Sequence, residues 1–168
     1  MKKIDLDVLK RLYSINSKSG KEDDIRDEIV AQAAKVAPDA KIDIDAKGNM
    51  MIVKGKDKPY PCVLAHMDEV HMECDDIQIV QTGKFLYGWS DQRRGMVGIG
   101  ADDKNGIYVC LRALEDLPSV KLIFTVGEEI GGTGSNALNI DRWLSDVRYV
   151  IQCDRRNGTD FITNISGL

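Results

Sequence analysis

The spacing of apolar residues predicts two helices at the start of the chain. From Ile4 to Ile15 the apolar residues recur at close to helical intervals, and this segment ends in the Ser/Gly cluster SKSG. In KEDDIRDEIVAQAAKVA, residues 21–37, acidic residues crowd the first turn, where the helix dipole favours them. Ile25, Ile29 and Ala33 fall on one face of this second helix, and Pro38 ends it.

After Pro38 the pattern becomes that of strands. KIDIDA and NMMIVK flank a Gly-Asn turn and indicate a hairpin, PYPCVLAHM is a short apolar strand, and DDIQIVQTG with KFLYGWS indicates a second hairpin. A helix follows over GIYVCLRALEDL, and VKLIFTVG and VRYVIQC are further buried strands, separated by a glycine-rich loop and the short helical piece NIDRWL. The helix has four residues on its buried side: Ile107, Cys110, Leu111 and Leu114.

Strands that alternate with helices predict an α/β fold, a three-layer sandwich of helices around a β-sheet. The hairpins make the sheet mixed rather than purely parallel. No repeat, low-complexity tract or linker interrupts the pattern, so residues 1–168 are expected to form a single domain.

Composition narrows the functional classes. The formal net charge is -4 and the 23 basic residues are scattered, so neither nucleic acid nor a membrane surface is an expected partner. No apolar run approaches the ~20 residues that span a bilayer, and the first residues lack an apolar signal core, which predicts a cytoplasmic protein. The four cysteines are widely spaced without a CxxC and are expected to be reduced thiols.

Four apolar runs end in residues of the types that bind metal ions. CVLA runs into His66 and Asp68, VGIGA into Asp102 and Asp103, LIFTVG into Glu128 and Glu129, and VIQC into Asp154. Each has a simpler explanation, since single acids often cap helices or lie in turns and a single histidine is more often a packed side chain. However, ligands of open α/β sheets bind beyond the carboxyl ends of the strands, and the four loop starts are expected along one such rim.

Two of these four places carry adjacent acids, whose mutual repulsion a helix cap does not require and a divalent cation relieves. One histidine with several carboxylates and no thiolate suits Zn²⁺, in one or two ions, with Mn²⁺ or Co²⁺ as alternatives. The rim is therefore a candidate metal site.

The order H-x-D, G-x-G-A-D-D-K-x-G, G-E-E and a later Asp after an apolar strand resembles the co-catalytic dizinc peptidase superfamily. That superfamily includes peptidase T, glutamate carboxypeptidase and related zinc aminopeptidases, and its fold is a phosphorylase/hydrolase-like sandwich. The resemblance extends over nearly the whole chain, since SINSKSGKEDDIRDEI is similar to the lead-in helices of those enzymes. It implies that His66 and Asp154 bind one metal ion, that Glu129 binds the other, and that Asp102 bridges them.

The same resemblance assigns two catalytic roles. Asp68 is implied to fix the orientation of the His66 imidazole, and Glu128 to be the general base that deprotonates the attacking water. It also implies a cis peptide bond between Asp102 and Asp103. Glu69, next to Asp68, is expected to be solvated, and His71 to have a surface or substrate-facing role.

The sequence departs from the family at its end. The family supplies a late histidine to the metal held by Glu129, whereas this sequence has no histidine after His71 and no segment like the family's lid domain. The chain is therefore expected to be the truncated, N-terminal part of a catalytic domain with a weakened second metal site. The apolar surface left uncovered is expected to favour homo-oligomers.

These observations predict a metal-dependent hydrolase of peptide bonds, first of all an aminopeptidase, in which a metal-activated water is the nucleophile. An N-acyl amino acid amidohydrolase is an alternative, because the same chemistry cleaves any suitably held amide. A catalytically inactive metal-binding or interaction module is another: the missing histidine favours it and the retained Glu128 opposes it. The expected partner is a peptide or an N-acyl amino acid substrate.

Overall fold

A computed structural model describes residues 4–154 of the chain. Its helices are α1 (Leu6–Tyr13), α2 (Asp23–Val36), α3 (Ala101–Asp116) and α4 (Ile140–Leu144), with one 3-10 turn at Ser135–Ala137. Its strands are β1 (Lys41–Ile44), β2 (Met50–Lys54), β3 (Tyr60–His66), β4 (Gln78–Thr82), β5 (Phe85–Ser90), β6 (Gly95–Val97), β7 (Val120–Thr125) and β8 (Val147–Gln152). No helix in this described part is long and apolar enough to cross a membrane.

Five strands form the main sheet in the order β1-β2-β7-β3-β8. The first three are antiparallel neighbours, whereas β7, β3 and β8 run parallel, so the sheet is mixed as the sequence predicts. His66 pairs with Thr125, which brings the ends of β3 and β7 to the same level. The residues that follow β3, β7 and β8 therefore share one rim of the sheet.

Helices cover both faces of the sheet. Helices α1, α2 and α3 pack against one face, and the predicted inner face of α3, with Ile107, Cys110 and Leu114 fully buried, is confirmed. On the opposite face Trp143 of α4 is buried against Cys62 and Ile123. The predicted three-layer α/β arrangement is thus present, with a much thinner layer on the α4 side within residues 4–154.

The second predicted hairpin forms, but it belongs to a separate three-stranded sheet, β4-β5-β6. The sequence pattern missed β6, because a three-residue strand beside several glycines is too short to show alternation. Helix α3 also begins earlier than predicted, at Ala101 rather than Gly106. Its first turn is irregular, since Asp102 and Asp103 have non-helical backbone angles.

Candidate metal centre

His66, the last residue of β3, is fixed in one orientation. Its ring is 1% exposed, and Nδ1 lies 3.0 Å from the backbone oxygen of Asp68. The other ring nitrogen, Nε2, lies 3.1 Å from Oδ1 of Asp102. Histidines that bind metal ions typically use one nitrogen for the ion and the other for such a partner. The ring therefore presents Nε2 to the rim.

Asp102 and Asp103 have different environments. The Asp102 side chain is 70% exposed and meets His66, whereas Asp103 is buried and accepts from the amide of Gly106 at 3.0 Å. This bond caps the regular part of α3, and the Asp103 carboxylate also accepts from the amide of His66 at 3.4 Å. The peptide bond between the two acids is cis, as the resemblance implies. One acid therefore faces the rim while the other holds the helix.

The remaining predicted residues meet around the same imidazole. Ligand atoms of His66, Asp102 and Asp154 lie within 4.8 Å of one another. Ligand atoms of His66, Glu128 and Glu129 also lie within 4.8 Å of one another and form a second group. The structure thus brings all four predicted metal ligands and the predicted base to one place.

The buried residue Asp68 contacts His66 and the backbone of Glu128 and Glu129. Its carboxylate accepts from the backbone amides of Glu128 at 2.9 Å and Glu129 at 3.1 Å, and from the Ser19 hydroxyl at 2.6 Å. Its backbone oxygen faces His66. Asp68 therefore orients both the imidazole and the loop that carries the two glutamates.

The donor set fits a divalent cation. Two ligand atoms that each bind Zn²⁺ at about 2.0–2.2 Å with a tetrahedral angle stand about 3.3–3.6 Å apart. Nε2 of His66 and Oδ1 of Asp102 lie 3.1 Å apart, which is a hydrogen-bond distance and is slightly shorter than that separation. One imidazole and several carboxylates suit Zn²⁺ and also admit Mn²⁺ or Co²⁺.

Several ionisable groups around His66 have shifted pKa values. Burial lowers the pKa of His66, but hydrogen bonds and charges from Asp68, Asp103 and Asp102 outweigh it and raise the pKa to about 9. Burial raises the pKa of Asp103 to about 7 and also raises the pKa of Glu129. Without a bound cation the His66 imidazole is therefore protonated at neutral pH, and an ion bound at Nε2 would replace that proton.

Asp68 behaves in the opposite way. Burial alone would raise its pKa, but hydrogen bonds from His66, Ser19 and the amides of Glu128 and Glu129 lower the pKa to about 2. The Asp68 carboxyl group is therefore ionised at neutral pH.

The expectation that Glu69 is solvated is wrong. Glu69 is 4% exposed, its Oε2 lies 3.0 Å from Nζ of Lys104, and its Oε1 accepts from the amide of Ser17. The partners are 35 positions apart, and nothing in HMDEVH reveals the pairing. His71 is exposed, and its ring lies against Gly98, where a side chain in place of the glycine hydrogen would collide with it.

Sequence reasoning also missed three residues that support the centre: Ser19, Glu22 and Asn49. Ser19 binds Asp68, while Glu22 and Asn49 bind the loop that carries Glu128 and Glu129. The resemblance of SKSGKE to the family's lead-in helices was the available signal for the first two. Asn49 lies in a hairpin turn, where an asparagine needs no functional explanation.

No family model and no curated protein matches the chain by sequence. Solved structures match it by fold: a tripeptidase from Staphylococcus aureus with a TM-score of 0.72, and aminopeptidase PepT from Bacillus cereus with 0.73. The chain has the fold of these peptidases. An aminoacylhistidine dipeptidase from Vibrio alginolyticus matches with 0.71, and each of the three is 23% identical over 89% of this chain.

These neighbours confirm the predicted α/β peptidase fold. The chain spans 42% of the tripeptidase, 42% of PepT and 32% of the dipeptidase. The described residues therefore correspond to less than half of each neighbour.

Proposed function

We propose that the chain is a metal-dependent hydrolase that cleaves peptide bonds, acting first of all as an aminopeptidase. One observation carries the proposal: two groups of potential ligands share His66 at the carboxyl rim of a peptidase fold. Helix capping does not account for these four acids, because the acid that caps α3 is Asp103, which belongs to neither group.

Each side chain of the candidate metal centre has its own proposed role. His66, Asp102 and Asp154 would hold one ion, and Asp102 with Glu129 a second. When bound, Zn²⁺ would supply Lewis-acid chemistry, polarising the scissile carbonyl and making a water molecule more acidic. Glu128 would accept the proton of the attacking water and return it to the leaving amine. Asp68, whose backbone oxygen lies 3.0 Å from Nδ1, would keep the imidazole turned so that Nε2 is available to an ion.

A substrate panel tests the proposal. Aminoacyl and N-acyl fluorogenic substrates are incubated with the full chain and added Zn²⁺, Mn²⁺ or Co²⁺. We expect metal-dependent cleavage of the aminoacyl substrates. Selective cleavage of N-acyl substrates would indicate an amidohydrolase instead, and zinc binding without any cleavage would indicate a metal-binding module.

Glu128→Gln tests the role of the base. We expect this change to lower kcat by about 10²- to 10⁴-fold, because the amide cannot take the proton, while zinc affinity measured by calorimetry stays close to wild type. His66→Ala is the matched control and should lower zinc affinity itself. An unchanged rate in Glu128→Gln would contradict the assigned role.

A further inference from the structure

Backbone hydrogen bonds join the two ends of the loop that carries Glu128 and Glu129, residues 126–134. The loop leaves β7 at Val126, turns at Gly127 with a φ of 60°, and returns at Gly134. The amide of Thr133 donates to the oxygen of Gly127, and the amide of Gly134 to the oxygen of Val126, both at 2.9 Å. The two glutamates therefore sit on a loop whose base is rigid, and its orientation depends on what holds that base.

Side-chain oxygens hold the first four amides of this loop in succession. The amide of Val126 donates to Oδ1 of Asn49 at 3.1 Å, and the amide of Gly127 donates to Oε1 of Glu22 at 3.2 Å. The next two amides donate to Asp68. Most backbone amides bond to other backbone groups, so a run of four on side chains from three separate segments is unusual.

Glu22 is buried where it contacts the amide of Gly127. It is 5% exposed, and its Oε1 accepts from the amides of Gly20 and Gly127 at 3.0 and 3.2 Å. Within residues 4–154 its carboxylate forms no ion pair. Burying a carboxylate without a cation is costly, and the two amide bonds are the compensation that the structure shows. Glu22 thus joins the segment of Ser19, which binds Asp68, to the loop of the glutamates.

The side chain of Asn49 forms hydrogen bonds to both ends of the loop, at Val126 and Gly134. It is fully buried, its Oδ1 accepts from the amide of Val126, and its Nδ2 donates to the oxygen of Gly134 at 3.0 Å. Its Nδ2 also donates to Asp45 at 2.8 Å, which fixes the amide against rotation. The side chain therefore adds a second connection between the two ends of the loop, beside the backbone hydrogen bond from Gly134 to Val126.

We propose that Glu22 and Asn49 are positioning residues of the metal centre. Neither belongs to a ligand group, and both act through the backbone of residues 126–127 to aim Glu128 and Glu129 at His66. A site of this kind needs its ligands held within about 0.5 Å, and loss of a supporting hydrogen bond typically costs 10–100-fold in metal affinity. The part of the proposal that concerns metal rests on the proposed function, whereas the part that concerns the loop does not.

Four variants and one control separate positioning from simple structural support. Glu22→Ala removes the acceptor, and Glu22→Asp, the variant more readily folded, withdraws it by one methylene. Glu22→Gln keeps an oxygen where Oε1 lies and is the expected rescue. Asn49→Ala tests the second residue. Asp24→Ala, an exposed acid in the first turn of α2, is the matched control.

Hydrogen exchange of the metal-free full chain reports on the loop directly. In Glu22→Ala, Glu22→Asp and Asn49→Ala we expect faster exchange at amides 126–129, with the amides of β7 unchanged. Glu22→Gln and Asp24→Ala should exchange as wild type does. Unchanged protection at 126–129 in the first three variants would overturn the proposal.

Zinc titration of the same variants, with the Co²⁺ absorption spectrum as a second readout, reports on the metal centre. We expect Glu22→Ala, Glu22→Asp and Asn49→Ala to lose about 10–100-fold in affinity for the ion bound by Glu129 and to shift the Co²⁺ bands. A lowered unfolding midpoint with unchanged affinity and bands would show a merely structural role and overturn the proposal. If wild type binds no metal, the proposed function fails, and the exchange data still decide whether these residues hold the loop.

Discussion

Lys104, the residue that follows Asp103, forms a buried ion pair with Glu69. Their side chains are 2% and 5% exposed, and Lys104 also donates to the backbone oxygen of Ile15. Burial lowers the pKa of Lys104, and the charge of Glu69 opposes that shift. The pair also leaves no room for a side chain at Gly100, the residue before α3, where a Cβ would lie 1.9 Å from Glu69. Two buried charges thus tie the start of α3 to the loop after β3.

Lys104→Met tests this pair at the scale of single residues. It leaves the Glu69 carboxylate buried without its cation, so we expect the free energy of unfolding to fall by about 3–5 kcal/mol. The double variant Lys104→Met/Glu69→Gln, which removes both charges, should lose clearly less. Urea denaturation measures both changes.

An exposed pair is the control for that experiment. Lys21 and Glu73 lie 2.6 Å apart with side chains 65% and 42% exposed, and Lys21→Ala should cost under about 1 kcal/mol. Equal losses for Lys104→Met, the double variant and Lys21→Ala would contradict the importance of burial.

At the scale of elements, Asp76 connects two strands of the three-stranded sheet through hydrogen bonds. Its carboxylate accepts from the Ser90 hydroxyl at 2.6 Å and from the Gln92 amide at 2.9 Å, so it joins the start of β4 to the end of β5. Hydrogen bonds from Ser90 and Gln92 lower its pKa to about 2. The ionised carboxylate therefore stabilises the folded state.

The depressed pKa gives the sign of a pH dependence. A carboxyl group whose pKa is lower in the folded state adds stability that is present above its ordinary pKa, 3.8, and is lost as the pH falls through about 2. We expect Asp76→Ala to lower the unfolding midpoint at neutral pH, and the difference from wild type to shrink as the pH is lowered across that range. Thermal unfolding at several pH values measures it.

The neighbouring Asp75→Ala is the control for Asp76. Asp75 is exposed, and its replacement should change the midpoint little at any pH. A difference between Asp76→Ala and wild type that stays constant down to pH ~2 would contradict the role of the ionised carboxylate.

At the scale of the whole molecule, β8 is the last strand of the main sheet among the described residues. Among residues 4–154 no strand pairs with its outer side, and Tyr149, Val150 and Ile151 are 49%, 44% and 41% exposed. Edge strands with apolar side chains readily pair with other chains, and charged residues suppress this. Self-association through β8 is therefore expected.

Val150→Lys tests that expectation. We expect wild type to sediment increasingly as oligomers as its concentration rises, and the variant to remain monomeric over the same range. Met72→Lys, at an exposed apolar position away from β8, should not change the association of wild type. Wild type that stays monomeric at every concentration would show that this edge does not promote assembly.

Much of the fold could be predicted because its signals are local. Helical spacing over Ile25, Ile29 and Ala33 and the apolar run of β3 each follow from neighbours within a few positions, since the periodicity of an element repeats over such distances. The short strand β6 and the start of α3 at Ala101 could not be predicted from local periodicity. Their conformations depend on β5 and on the surroundings of Asp103, and not on their own residues.

The sequence by itself determined most of the elements, their order along the chain and the types of residue at the candidate metal centre. The tertiary structure alone decided that Asp102 faces His66 while Asp103 is buried, and that Lys104 neutralises Glu69. It also decided that Glu22 reaches Gly127 across 105 positions. The physical reason is that burial and hydrogen-bond partners are set by which segments the packed sheet brings together, and local periodicity carries no record of partners so far away.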